Sequence, residues 1–209
     1  MEVIDQISDT IRSDSLNKHE KLAQILKLVV DECHIKNDSY FILGKYSLRE
    51  FREINDLDVN MDVSEFKKLR LLDFGDFGQY NGQERWIYDM TDQYKDLDPN
   101  VDDFSIEIYG MDPKEGYPDG RFSLEFLGDN DGFDIDQFGH KHYSLRTLLQ
   151  WKLEMNRDVD QEDIVLIKNL LKTEQAFAGG AGGGKAGKNY YKKYIKYKRK
   201  YLQLTSRLF

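Results

Sequence analysis

Long apolar runs, cysteines and, in one region, acidic residues are what this sequence lacks. No stretch of its 209 residues approaches the roughly 20 consecutive apolar side chains that span a bilayer, so no membrane partner is expected. The chain opens Met-Glu-Val-Ile-Asp, without the basic start and apolar core of a secretory leader. The lone cysteine, Cys33, excludes an intrachain disulfide and a cysteine-based zinc cluster. It makes a reducing, intracellular setting the default. Residues 179–209 hold nine Lys/Arg and no Asp or Glu, which leaves 21 basic against 38 acidic residues, a net −17, in residues 1–178. The body is acidic and the tail basic, and the two are read separately.

What is present suits one α/β domain with appendages. Residues 1–35 read as a helical pair covering one face of a body. Ile4, Ile7 and Ile11 recur at helical spacing, as do Leu22, Ile25, Leu26, Val29, Val30 and Cys33. Tyr40 to Gly44 reads as a buried strand ending in glycine, and 45–53 as a short helix. Residues 55–61 alternate like a strand, and Ser64 is the expected cap of the helix that follows. A hairpin is expected around Asn81-Gly82. Residues 104–109 alternate as another strand, a short element is expected near Phe122–Leu127, and helices over 144–157 and 160–174. Ala178–Lys188, almost all Gly, Ala and Lys, reads as a flexible linker. Beyond it, over 189–209, Tyr190, Tyr194, Tyr197, Tyr201, Leu204 and Leu208 recur with a heptad-like 4-3-4-3-4 spacing on a basic helix. A stripe of that kind suits a partner helix or a polyanion.

The chemistry is expected where Gly44 is followed by Asp56-Leu57-Asp58. A glycine ending a strand, with a helix N-terminus after it, offers free N–H groups to an anion such as phosphate. Asp56 and Asp58, two apart on a strand, project to one face. Two adjacent carboxylates repel unless a cation lies between them, and magnesium is a hard ion suited to oxygen ligands. Glu107 sits opposite Ile106 and Ile108 in its strand, on the side of Ser105 and Tyr109. If that strand pairs beside Asp56 and Asp58, three carboxylates converge.

This order of strand, glycine, short helix, Asp-x-Asp strand and later apolar-Glu-apolar strand resembles the nucleotidyltransferase superfamily of polymerase-beta-like folds. Where that family has Gly-Ser or Gly-Gly, this chain has Gly44-Lys45. Lys45 either supplies charge to the triphosphate or blocks it. Leu148-Leu149-Gln150-Trp151-Lys152, Arg157, Asp160 and Asp163-Ile164 look like the helical segment of minimal and abortive-infection-type nucleotidyltransferases. Together the two resemblances cover about residues 38–172, within a domain drawn over 36–177. The tail is similar to C-terminal helices on many proteins of giant DNA viruses.

The resemblance implies a small mixed twisted sheet with flanking helices, an α/β (α+β) fold. It implies transfer of a nucleoside monophosphate from an NTP to a hydroxyl of an RNA, protein or small-molecule acceptor. Asp56, Asp58 and Glu107 would be catalytic and would bind Mg2+ or Mn2+, while Gly44, Lys45, Tyr46 and Lys152 would bind the nucleotide. The location implied is the host cytoplasm or viral factory, or the virion. The alternative is a fold that lost its chemistry and serves as a viral structural or binding module. Plainer readings stand beside each residue: a solvated strand end for the aspartates, an exposed strand face for Glu107, a surface lysine for Lys45. Lys152 could simply be paired to Glu154 or Asp163. His140 and His142, without a third histidine, read as a hydrogen-bonded loop pair rather than a zinc site.

Overall fold

The computed structural model describes residues 2–99, 101–111 and 132–180. The chain divides into two compact units, Met1–Ser144 and Leu145–Phe209, which are treated one at a time.

In the first unit, α1 (Val3–Arg12) and α2 (Lys18–Glu32) are the expected helical pair. Helix α2 starts at a reciprocal cap: the Asn17 side chain accepts from the Glu20 N–H, and Glu20 accepts from the Asn17 N–H, both at 3.0 Å. The strands are β1 (Tyr40–Ile42), β2 (Asp56–Asp62), β3 (Asp76–Tyr80), β4 (Gln83–Asp89), β5 (Ser105–Met111), β6 (Phe133–Ile135) and β7 (Lys141–Tyr143), with short helices α3 (Val63–Phe66) and α4 (Thr91–Lys95) between them. They form one sheet in the order β3-β4-β5-β2-β1-β7-β6. Pairing is parallel for β2 with β5 and β1 with β7, and antiparallel elsewhere. The mixed α/β class is therefore as expected.

Alternation along the strands sorts the side chains to two faces. Tyr40, Ile42, Leu57, Val59, Met61, Trp86, Tyr88, Ile106 and Ile108 join Ile7, Ile11, Leu22, Ile25, Leu26 and Val29 of the helices in one core. Each fully buried aliphatic side chain there stabilises by roughly 1.5–3 kcal/mol. The opposite face carries Asp56, Asp58, Arg85, Glu107 and Tyr109.

Several local expectations are corrected. The helix foreseen over 45–53 is a five-residue 3-10 turn, Gly44–Leu48. A macrodipole sums aligned peptides, so this turn offers N–H groups but little dipole. Helix α3 is capped by Asp62, not Ser64: the Asp62 carboxylate accepts from the Ser64 N–H at 2.7 Å. The hairpin turn does fall at Asn81-Gly82, with φ of 50° and 82°, the left-handed pair that a two-residue hairpin requires. The element near Phe122–Leu127 and the tail 189–209 lie outside the described residues.

Gly75, just before β3, has φ of 77°, and a side chain starting there would come within 2.4 Å of the Trp86 indole. Trp86 is wholly buried and cannot step aside. Gly75→Ala combines left-handed strain with overpacking and should cost at least about 2 kcal/mol. Urea denaturation checks this; an unchanged midpoint would mean the loop re-forms freely.

The second unit contains α5 (Leu145–Met155), a 3-10 turn (Asp158–Asp160) and α6 (Gln161–Gly180). Leu148 of α5 and Ile164, Ile167 and Leu170 of α6 are buried. Helix α6 runs to Gly180, so the Gly/Ala stretch drawn from Ala178 as linker begins inside a helix. The body drawn over 36–177 divides at Ser144/Leu145. No helix among the described residues is long and apolar enough to cross a membrane.

Candidate active site

The carboxylate face is produced by strand register. Strand β2 pairs in parallel with β5 so that Asp58 lies beside Glu107 and Asp56 beside Ser105. In-register neighbours point to the same face, so Glu107 shares the face of both aspartates. The glycine loop closes the end: the Leu43 N–H donates to the Asp58 carbonyl at 2.7 Å. Gly44 then turns so that the position of its absent Cβ is 4.0 Å from Asp58 Oδ2. That distance is ordinary contact, and it is the left-handed φ of 61° at Gly44 that disfavours a side chain there.

The charges of this face are poorly balanced. Partial burial raises the Asp56 pKa, Asp103 raises it further, Lys45 lowers it, and Glu107 adds to the rise. Asp103 accepts from the Ser105 hydroxyl at 2.7 Å and belongs to the same group. Glu107 is tied: its Oε2 accepts from Arg85 Nη1 at 3.1 Å and from the Tyr109 hydroxyl at 2.5 Å. Burial works against the Arg85 charge, yet Glu107 holds its pKa above the ordinary value. Burial, the bond to Glu107 and the charge of Asp58 all push the Tyr109 phenol upward.

Asp56 and Asp58 carry oxygen donors of the kind a hard divalent cation takes, and the charges of Asp103 and Glu107 add to the desolvation that raises Asp56. Among the described residues, no group of three His, Cys, Asp or Glu side chains is arranged to hold a metal ion. Glu107 is engaged by Arg85 and Tyr109.

Two nucleotide-binding candidates take other roles. Tyr46 is buried, its hydroxyl donates to Asp136 at 2.5 Å, and Arg49 lies over its ring. It is part of the packing between the Gly44–Leu48 turn and the β6–β7 hairpin. Lys152, in the second unit, is 1% exposed, with its ammonium 2.5 Å from Asp160 and 2.9 Å from Asp163. A charge enclosed by two carboxylates is not presented to a phosphate. Arg157 also pairs with Asp160, at 2.6 Å. Lys45, in contrast, is exposed and acts on Asp56.

His140 and His142 are both buried and hydrogen-bonded, but to different partners, and His142 lies in strand β7 rather than in the loop expected. His140 Nε2 lies 2.9 Å from the Ala23 carbonyl and can only donate there, so its Nδ1 accepts from the Tyr40 hydroxyl at 2.7 Å. Burial, with Arg49 beside it, pushes the His142 pKa down from 6.5 to about 4. A histidine kept neutral in the fold binds fewer protons than the unfolded chain between those values. Its contribution is therefore intact above pH 6.5 and lost as the pH falls toward 4. The loss, at 1.36 kcal/mol per unit, is on the order of 3 kcal/mol. Denaturation midpoints for wild type and His142→Gln should converge across that interval; parallel curves would refute the assignment.

Sequence reasoning missed Arg85 and Asp103 and gave Tyr109 no role. Arg85 alternates with the core residue Trp86, so its face was readable. Its contact with Glu107 depends on the β4–β5 register, which Arg85↔Tyr109 and Ile87↔Glu107 define and which no local pattern encodes. Comparisons with protein-family models, curated proteins and solved structures gave no match.

Proposed function

We propose that this chain is a nucleotidyltransferase-like enzyme whose substrate is an NTP with a divalent cation. The observation that carries the reading is the β2–β5 register, which sets Asp58 beside Glu107 with Asp56 on the same face, and Gly44 against Asp58. Asp56 and Asp58 would hold the cation, Mg2+ or Mn2+. When bound, it would supply charge to neutralise the triphosphate and lower the pKa of the acceptor hydroxyl. Exposed Lys45 adds charge for the phosphates, and the open turn after Gly44 lets them approach the backbone. The acceptor oxygen bonds to the α-phosphorus, the bond to the bridging oxygen breaks, and pyrophosphate leaves with the electron pair. The proton is released to solvent. Glu107 fixes Arg85 and Tyr109 and completes the negative face. The acceptor is an RNA, a protein or a small molecule.

A second reading keeps the fold and drops the chemistry, as a structural or binding module. The Glu107–Arg85 pair and the Gly44-Lys45 departure favour it. Incubating purified chain with labelled NTPs, Mg2+ and RNA, protein or small-molecule acceptors separates the two. Metal-dependent label transfer supports the enzyme; absence of both transfer and magnesium-dependent NTP binding supports the module.

A further inference from the structure

Tyr80 ends β3 at the sheet edge, and its side chain is 52% exposed. The register Tyr80↔Gln83, Gly78↔Arg85 and Arg85↔Tyr109 puts Tyr80, Arg85 and Tyr109 on the same face as the carboxylates. The two tyrosine rings have centroids 6.1 Å apart, and the Arg85 guanidinium lies 5.6 Å from the Tyr80 ring centroid. Nothing among the described residues lies within 4 Å of where a side chain at Gly78 would begin, so the surface between them is open.

This shelf is built rather than incidental. Tyr109 and Arg85 both donate to Glu107 Oε2, so one carboxylate fixes two of its three members. Tyr109 is two positions from Glu107 on one strand, about 7 Å. An aromatic surface with a flanking guanidinium takes planar, π-faced ligands, and unpaired bases stack on such surfaces.

We infer that the Tyr80–Arg85–Tyr109 shelf binds the nucleobase of a mononucleotide whose phosphates lie at Asp56 and Asp58. This rests on the nucleotidyl-transfer reading and names the part of the substrate that reading leaves open. A free nucleotide is the source favoured over a nucleic-acid strand, because residues 1–178 carry a net −17 and strand binding needs a positive track for its phosphates.

Binding of ATP, inorganic tripolyphosphate and an unstructured ribo-oligonucleotide, each with Mg2+, to wild type, Tyr80→Ala and Tyr80→Phe tests the inference. Tyr80 is exposed at a strand end, so all three chains should fold, which circular dichroism verifies. Tyr80→Ala should weaken ATP about tenfold and leave tripolyphosphate unchanged, while Tyr80→Phe keeps wild-type affinity. Unchanged ATP affinity, or equal weakening of ATP and tripolyphosphate, overturns the shelf alone. Loss of oligonucleotide binding with ATP unaffected overturns the mononucleotide assignment. A wild type that binds neither ATP nor tripolyphosphate overturns both the shelf and the nucleotidyl-transfer reading beneath it.

Discussion

Asp58→Ala should lower magnesium-dependent nucleotidyl transfer by more than about 100-fold, while the chain stays folded. Even residues that only support a metal ligand cost 10–100-fold when removed, and Asp58 is the central carboxylate of the face. It stands beside Glu107 and against Gly44. The companion variant Asp56→Asn should also lose transfer, but it should be no less stable than wild type at neutral pH. The sign follows from linkage. An acid whose native pKa is raised binds more protons folded than unfolded just above its ordinary 3.8. Its cost to stability is absent at low pH and present once the pH exceeds the native pKa. The variant's advantage should therefore grow from pH 4 toward neutrality. An Asp56→Asn chain less stable than wild type at pH 7, or an Asp58→Ala chain with wild-type transfer, would remove these residues from the site.

The largest loss of stability should come from Lys152→Ala. The substitution leaves Asp160 and Asp163, 2% and 1% exposed at their side chains, without their shared ammonium. Removing one partner of a buried ion cluster costs about 3–5 kcal/mol, because the remaining charge stays desolvated. Arg157 still reaches Asp160, so the deficit falls mainly on Asp163. Chemical denaturation of Lys152→Ala, and of Lys152→Met combined with Asp163→Asn, would separate charge from packing. The double variant should recover most of the stability. Equal loss in both would mean that the ion cluster itself, rather than the lysine's packing or an unpaired carboxylate, stabilises the unit.

Elements written in local pattern were legible in advance. The helical stripe from Leu22 to Cys33 lies on α2, which starts four residues earlier at Lys18, and the alternation in 104–109 predicts β5 within two residues. Asn81-Gly82 predicts its turn, because few residues tolerate two consecutive left-handed conformations. The site was half legible for the same reason. Asp56 and Asp58 share a face by strand period alone, whereas Glu107 joins them only through pairing across about fifty residues of sequence. What Glu107 does could not be read, since Arg85 reaches it from a third strand. The 45–53 segment, read as a short helix, is a tighter turn over Gly44–Leu48 that buries Tyr46 and Leu48. The fate of Lys152 was stated as a choice between phosphate and ion pair. Burial decides it, and burial is a tertiary property.

The sheet order also sets a timetable for the newly made chain. Strand β1 pairs on one side with β2, but its other neighbour is β7, through Ile42↔His142. The ribosome adds about 5–20 residues per second, so roughly 5–20 seconds separate the emergence of the two. The β3–β4 hairpin, by contrast, can close in about 1–10 μs. Through that interval the Tyr40-Phe41-Ile42 edge, wholly apolar and destined for the interior, stands open to pairing with other chains. The carboxylate face can assemble from β2, β4 and β5 before then. The carboxylate-bearing strands can thus pair first, while the apolar β1–β7 seam must wait for the later strand.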